Sequence, residues 1–388
     1  MSAGLSAPPL GLYVHLPWCL RKCPYCDFNS HALHGALPVE DYLQALLRDL
    51  HAQAPGVAER TIETVFIGGG TPSLFPAEAV GRLLEAVAAA PGLARDAEIT
   101  LEANPGAAEA QRFRGYRAAG VNRLSVGVQS FDDRALTLLG RIHGSAEAVA
   151  AARAAREAGF QRVNLDLMYG LPGQSPAAAA ADLEQALALG PDHLSHYQLT
   201  LEPGTAFHAR PPRLPDPDTC AAMLDACQER LAAAGFNRYE ISAYARPGSQ
   251  CRHNLNYWRF GDYLGIGAGA HGKLTDTAAC TIRRSARVAL PRAYIATAGQ
   301  PAAEAAGRLL SPADRVLEFM MNALRLPAGV PLELFRQRTG LPAAALEPGL
   351  SRGRAAGYLV ADAERLAPTA HGLDFLNEVL ELFLPEAA

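Results

Sequence analysis

Three cysteines fall within eight residues near the start of the chain, Cys19, Cys23 and Cys26, in the run Trp18-Cys-Leu-Arg-Lys-Cys-Pro-Tyr-Cys-Asp-Phe28. Spacings of four and three residues let one loop offer three thiolates to one face of a cube-shaped metal cluster. A cluster of the 4Fe-4S type normally takes four cysteines. Three local ones leave one iron open to an exogenous ligand. A structural zinc ion instead needs four closed ligands, usually supplied as two pairs, and the nearest candidates, His15 and His31, lack a paired spacing. The chain holds seven cysteines, and an odd number without secretory features argues for thiols or metal ligation rather than a disulfide framework. Cys220, Cys227, Cys251 and Cys280 have no ligand spacing; Cys220 and Cys227 lie one heptad apart on a predicted helix and read as core.

Further polar residues fall where short β-type runs stop. The runs span 11–16, 61–67, 98–103, 123–129, 162–168, 194–201 and 239–243, and helical periodicity fills 39–54, 76–90, 107–119, 145–158, 176–189 and 217–234 between them. Gly120, Gly159, Gly190 and Gly235 each sit just past a helical stretch, as a left-handed C-cap favours. Repeated strand–helix units imply right-handed crossovers and a parallel sheet, an α/β chain built as a full or partial barrel. Ligands in such folds sit at the C-terminal ends of strands. Gly68-Gly69-Gly70-Thr71 follows the second run, where small residues let the backbone approach a ligand or simply turn tightly. No Lys follows, which disfavours a phosphate loop. Glu102 closes the third run, and Gln129 and Asp166 occupy the ends of the next two, on stretches otherwise apolar where an unpartnered polar group is costly.

The strand–helix pattern loosens after 245. Segment 246–290 reads as loop with short strands. From about 311 the helices at 312–326, 331–339 and 343–353, a ribbon of 358–360 with 365–368, and a last helix to about 384 suggest a small α+β, winged-helix-like domain. The expected organisation is 1–245, 246–308 and 309–388. Segment 309–388 carries seven Arg against ten Asp and Glu, and the chain has a net charge of -4, so no nucleic-acid partner is expected. Hydrophobic residues at 49% and charged residues at 19% indicate a globular protein. The first ten residues lack the regions of a signal peptide and no transmembrane segment follows, so a cytoplasmic location is expected.

The cysteine spacing after the first strand resembles the radical S-adenosylmethionine (SAM) superfamily. Within it, the chain is similar to the anaerobic coproporphyrinogen III oxidase-like branch, and most to its heme-chaperone members. The resemblance rests on Leu12-Tyr-Val-His-Leu-Pro17, Gly68-Gly-Gly-Thr-Pro-Ser73, Ser125-Val-Gly-Val-Gln-Ser-Phe131, Asn164-Leu-Asp-Leu-Met-Tyr-Gly-Leu-Pro-Gly173 and His253-Asn-Leu-Asn-Tyr-Trp258, in that order. It implies a partial (β/α)6-type radical SAM barrel, with a 4Fe-4S cluster on Cys19, Cys23 and Cys26 and SAM on the open iron. It assigns SAM contacts to Tyr13, Tyr25, Gly69, Gly70, Thr71, Glu102, Gln129, Arg141 and Asp166. Packing of an aromatic explains Tyr13 and Tyr25 equally well, and a solvated helix-end Arg is the other reading of Arg141.

On residues alone, a loop His beside two aromatics reads as structural. The resemblance instead implies heme binding by His253, Asn254, Tyr257 and Trp258, with His271 as a second candidate ligand. Two functions compete: a radical oxidase of coproporphyrinogen III, and a chaperone that binds heme and hands it to an acceptor protein, a membrane-bound respiratory protein being one candidate class. The oxidases have a further Cys where this chain has Phe28, carry a longer N-terminal extension than the ten residues before Gly11, and lack the His-Asn-x-x-Tyr-Trp stretch. All three differences favour the heme carrier without oxidase activity.

Overall fold

The computed structural model describes residues 4–384. Residues 1–3 and 385–388, the extremes of the first and last segments read above, lie outside the described residues. Twelve strands form the main sheet: β1 (Leu10–Leu16), β2 (Ile62–Gly69), β3 (Leu93–Ala103), β4 (Arg123–Gln129), β5 (Arg162–Tyr169), β6 (His193–Gln198), β7 (Asn237–Glu240), β8 (Ala243–Ala245), β9 (Asp262–Ile266), β10 (His271–Asp276), β11 (Thr281–Arg287) and β12 (Glu304–Leu309). Their order is β12-β11-β10-β9-β1-β2-β3-β4-β5-β6-β8-β7. The stretch from β9 to β6 is parallel, and the strands beyond it at both ends pair antiparallel.

The parallel strands read as continuous apolar runs because both faces are covered; β4 is buried at every position. The Ala-rich helices let backbone approach sheet. Helix Ser145–Glu157 buries Ala148, Ala151, Ala152 and Ala155, a stripe at spacings of three, one and three that faces the strands. Gly120, Gly159, Gly190 and Gly235 all take positive φ just past their helices.

Three segments differ from the sequence reading. Run 239–243 is a hairpin of β7 and β8, not one strand. Segment 246–290 is more regular than loop: helix Arg252–Trp258 and strands β9 to β11, with β12 beyond, carry the sheet past β1, which would otherwise expose an unpaired edge. His253 therefore sits on a helix. At the C-terminal end, helices Pro312–Ala323 and Leu332–Thr339 fall where expected, but the stretch read as a helix at 343–353 is a 3-10 turn, Ala343–Leu346, followed by helix Gly349–Ala355, and the ribbon pairs Val330–Pro331 with Arg365–Leu366, leaving a single bridge between Leu359 and Pro368. The last helix is two short ones, Ala370–Asp374 and Leu376–Glu381, broken at Phe375. A second apolar core holds this end together and recruits Leu5, Phe260 and Ile282 from the rest of the chain.

Candidate functional site

The cysteine loop hangs from the C-terminal end of β1 and is closed at its neck. Strand Trp18–Cys19 pairs with His31–Ala32, and the His31 N–H donates to the Pro17 carbonyl at 2.7 Å. Inside the loop the Cys26 N–H donates to the Cys23 carbonyl at 3.2 Å. Asn29 fastens the far side through its Nδ2, which donates to the carbonyls of Ala268 and Ala289 at 2.9 Å each. All three cysteines are free; Cys19 is buried and the other two are half-buried. In a cubane cluster each of three irons takes one thiolate, so the thiols need not converge on one point. Among the described residues, no three ligand-type side chains do.

The glycine turn after β2 packs against this neck. The Gly70 N–H donates to the Leu16 carbonyl at 2.8 Å and the Thr71 N–H to the Trp18 carbonyl at 2.7 Å. A Cβ on Gly70 would meet the Trp18 oxygen at 2.6 Å, and Gly69 has φ +121°, so neither position accepts a side chain without rearrangement. The turn and the cysteine loop thus share a wall of one cavity of about 340 Å³ at the C-terminal strand ends. Cys19, Cys23, Cys26, Tyr25, Gly69, Gly70, Thr71, Glu102, Gln129, Arg141 and Asp166 all line it. Because it draws on β2 through β6 together, the sheet must curve round it as a partial barrel does. Tyr13 is the exception among the SAM candidates and lines an adjoining cavity instead.

Each strand end aims its polar group differently. The Gly69 N–H donates to Glu102 Oε2 at 3.2 Å. Gln129 holds φ 71°, a conformation uncommon for a residue with a Cβ, and its Oε1 accepts from the Tyr197 hydroxyl at 2.7 Å. Asp166 accepts from Asn164 Nδ2 at 2.7 Å and from the Ser125 hydroxyl at 3.2 Å. The Arg141 guanidinium donates to Asn104 Oδ1 at 2.7 Å and to the Gly127 carbonyl at 2.8 Å, and points Nη1 at Cys23 Sγ, 3.7 Å away.

Electrostatically the cavity asks for a cation. Burial, reinforced by the neighbouring Asp166, pushes the Glu102 carboxyl up to about 8. Burial likewise raises Asp166, although three side-chain hydrogen bonds pull against it. Burial also raises the Cys19 thiol. Both carboxyls are raised chiefly by burial, so a cation entering this space would favour their ionised forms. Donors are unmet as well: Arg141 Nε, Trp258 Nε1 and Arg325 Nε are buried without a partner, and all three residues line this cavity. A cluster on the thiols, with a ligand carrying a cationic centre and acceptor oxygens beside it, fits this donor set.

The His-Asn-x-x-Tyr-Trp helix crosses the interior and divides its residues among three surroundings. Asn254 and Trp258, four apart, line the cavity that holds the three cysteines. Tyr257 lines the adjoining cavity of about 360 Å³, with Tyr13, Phe28, Tyr263 and His271. His253 lines neither. It is 1% exposed, its Nδ1 meets the Thr64 hydroxyl at 2.8 Å, its Nε2 meets the Tyr257 hydroxyl at 2.9 Å, and Phe66 stacks on it. Burial, with Arg123 nearby, holds its imidazole neutral down to about 3. His271 is exposed at the start of β10.

Several cavity residues carried no signal in the sequence. Arg325, from the loop after Pro312–Ala323, pairs with the buried Glu240 at 3.0 Å and stacks over the Trp258 ring at 4.3 Å. Asn104 couples Arg141 to the Thr71 hydroxyl, to which its Nδ2 donates at 2.9 Å. Tyr197 carries the same signal as the other strand ends, a polar residue near the close of β6.

Residues 13–186 match the radical SAM superfamily and residues 310–375 match the HemN C-terminal domain. The chain is 51% identical to the heme chaperone HemW of Escherichia coli (strain K12), over 98% of this chain and 99% of that protein. It is 48% identical to the heme chaperone HemW of Haemophilus influenzae, over 98% and 99%. The solved coproporphyrinogen III oxidase HemN of Escherichia coli, a radical SAM enzyme, superposes with a TM-score of 0.82 at 26% identity, covering 97% of this chain and 90% of that one. Sequence and fold together show that the chain belongs to the radical SAM superfamily and, within it, to the HemW family.

Proposed function

We propose that the protein binds heme and passes it to an acceptor protein in the cytoplasm or at the cytoplasmic face of a membrane, while its cluster cavity holds a 4Fe-4S cluster and SAM. The observation that carries the reading is the aromatic cavity beside the cluster cavity. Phe28, Tyr257 and Tyr263 give it flat apolar walls, exposed His271 stands at its edge, and it shares Gly69 and Glu102 with its neighbour. A porphyrin needs such faces and an imidazole for its iron. Full-length similarity to proteins named heme chaperones supports the same conclusion.

In this reading Cys19, Cys23 and Cys26 hold the cluster, and Gly69, Gly70, Thr71, Glu102, Gln129, Arg141 and Asp166 receive SAM, with Tyr25 closing the loop side. Bound together, cluster and SAM supply the means of one-electron chemistry. His271 is the proposed iron ligand, with Tyr257 as a wall beside it, whereas Asn254 and Trp258, expected at the heme from the sequence, face the neighbouring cysteine-lined cavity. His253 acts through Tyr257, whose hydroxyl it holds, and is a positioning residue. No helix is long and apolar enough to cross a membrane.

The second reading, oxidation of coproporphyrinogen III, is favoured by the fold shared with HemN. Anaerobic incubation of the reconstituted protein with coproporphyrinogen III, SAM and a reductant tests it. The chaperone reading expects no carbon dioxide and no protoporphyrinogen; catalytic formation of either would establish the oxidase.

A further inference from the structure

A further cavity lies at the opposite end of the strands from the cysteine loop. It measures about 720 Å³, a size that suits a small organic ligand. Leu10 and Thr64, at the N-terminal ends of β1 and β2, form its roof, and the C-terminal domain supplies the facing wall through Val330, Pro331 and Leu334. The helix Arg252–Trp258 forms a third side with Leu255 and Asn256, its face turned away from the cluster cavity. This groove is therefore the back of the same helix that supplies Asn254 and Trp258 to the cysteine-lined cavity and Tyr257 to the aromatic one.

Its apolar walls are studded with cations. Arg252, Arg259, Arg338 and Arg365 line it against only Glu63 and Glu333. Arg252 is engaged by Asp96 at 3.1 Å, and Arg365 by the Ala328 carbonyl at 2.7 Å. The side chains of Arg259 and Arg338 have neither an ion pair nor a hydrogen bond among the described residues, and Arg338 Nε is buried without a partner. Behind them Arg60 and Lys273 both use Asp262, at 2.8 and 3.0 Å, so that carboxylate is already shared between two cations. Burial lowers the Arg338 guanidinium from its usual value, with Arg60 and Arg259 adding repulsion against the pull of Asp262. A guanidinium nitrogen buried without a partner is costly. An anion in the groove removes that cost.

We propose that this groove binds a tetrapyrrole by its carboxylates, the propionates pairing with Arg259 and Arg338 and the ring lying on Leu255, Val330 and Leu334. The inference rests on the heme-binding reading and extends it with a second station that ignores the metal. None of the groove residues is His, Cys, Met or Tyr, the usual axial ligands of heme iron. The groove therefore recognises carboxylates and an apolar plate, whereas the cavity with His271 can recognise iron. One protein then has an iron-blind site and an iron-reading site on opposite sides of one helix.

Metal-free protoporphyrin IX separates the two. Its fluorescence is titrated with the full-length protein, the His271→Ala variant, the Arg259→Ala/Arg338→Ala variant and the single surface variant Arg259→Glu, with heme titrated in parallel. Removing either arginine–propionate pair should weaken porphyrin binding by about tenfold or more. The expected result is protoporphyrin binding by the wild type, unchanged in His271→Ala and weakened in both arginine variants. Wild-type affinity in the arginine variants, or loss of protoporphyrin binding in His271→Ala, overturns the proposal. A wild-type protein that binds heme but not protoporphyrin overturns the groove assignment and leaves the chaperone reading standing; one that binds neither removes both. Arg259 is exposed and its side chain unpaired, so Arg259→Glu should fold normally and keeps the test decisive if the double variant does not.

Discussion

Replacing His253 by Ala distinguishes a buried positioning imidazole from a heme ligand through its pH dependence. The ring is enclosed by Phe66, Thr64 and Tyr257, and both nitrogens are used. Its removal leaves a void and takes a partner from each of two hydroxyls, at a cost of about 3 kcal/mol near neutral pH. In the folded wild type the imidazole stays neutral to about 3, whereas in the unfolded chain it takes up a proton below about 6.5. Between those values the unfolded state binds the extra proton, so this group's contribution to stability falls as pH falls. From about pH 7 to about pH 5 the wild type loses about 2 kcal/mol through it. The variant has no such loss. Urea unfolding of both proteins should therefore show the cost of the substitution shrinking to about 1 kcal/mol near pH 5. A cost independent of pH would refute the buried, neutral imidazole. Heme binding gives the companion readout: iron ligation by His271 predicts that a heme Soret band survives in His253→Ala and shifts or disappears in His271→Ala.

Glu102 needs to ionise before it can receive a cationic ligand, so SAM affinity should rise with pH by up to about tenfold per unit between about pH 6 and 7.5, and calorimetry should find that slope absent in Glu102→Gln. Replacing Cys19, Cys23 and Cys26 by Ala should abolish reconstituted iron and sulfide; retention of both in the triple variant would remove the cluster from this loop. Tyr42 has its hydroxyl between the His15 carbonyl, to which it donates at 2.9 Å, and the Ala268 N–H, from which it accepts at 2.8 Å. Tyr42→Phe should cost about 3 kcal/mol by leaving both buried groups unmet, and a loss in unfolding free energy below about 0.5 kcal/mol would show that the two groups find other partners.

The cysteine loop, the glycine turn and the polar strand ends were legible because each is a local signal: residue spacing, backbone tolerance, and a polar residue closing an apolar run. The strand–helix alternation was legible for the same reason, since periodicity and Gly stops act within one element. Residues whose meaning depends on where the chain returns were not. His253 reads as a loop histidine until the chain beyond β8 is seen to cross the interior as a helix and press it onto Phe66 and Thr64. Arg325 reads as an ordinary helix-end arginine until the C-terminal domain brings it over Trp258 and Glu240. Asn104 follows Glu102 by two residues with no spacing of its own to mark it, yet it joins Arg141 to Thr71. The groove residues are scattered from Leu10 to Arg365, and only the docking of the C-terminal domain beneath the sheet collects them.

Heme titration of the anaerobically reconstituted protein, followed in the Soret region, tests the central claim most directly. A carrier of heme should give a saturable band at stoichiometric protein, altered by His271→Ala and retained when SAM is withheld. Failure of the wild-type protein to take up heme under those conditions would contradict the account.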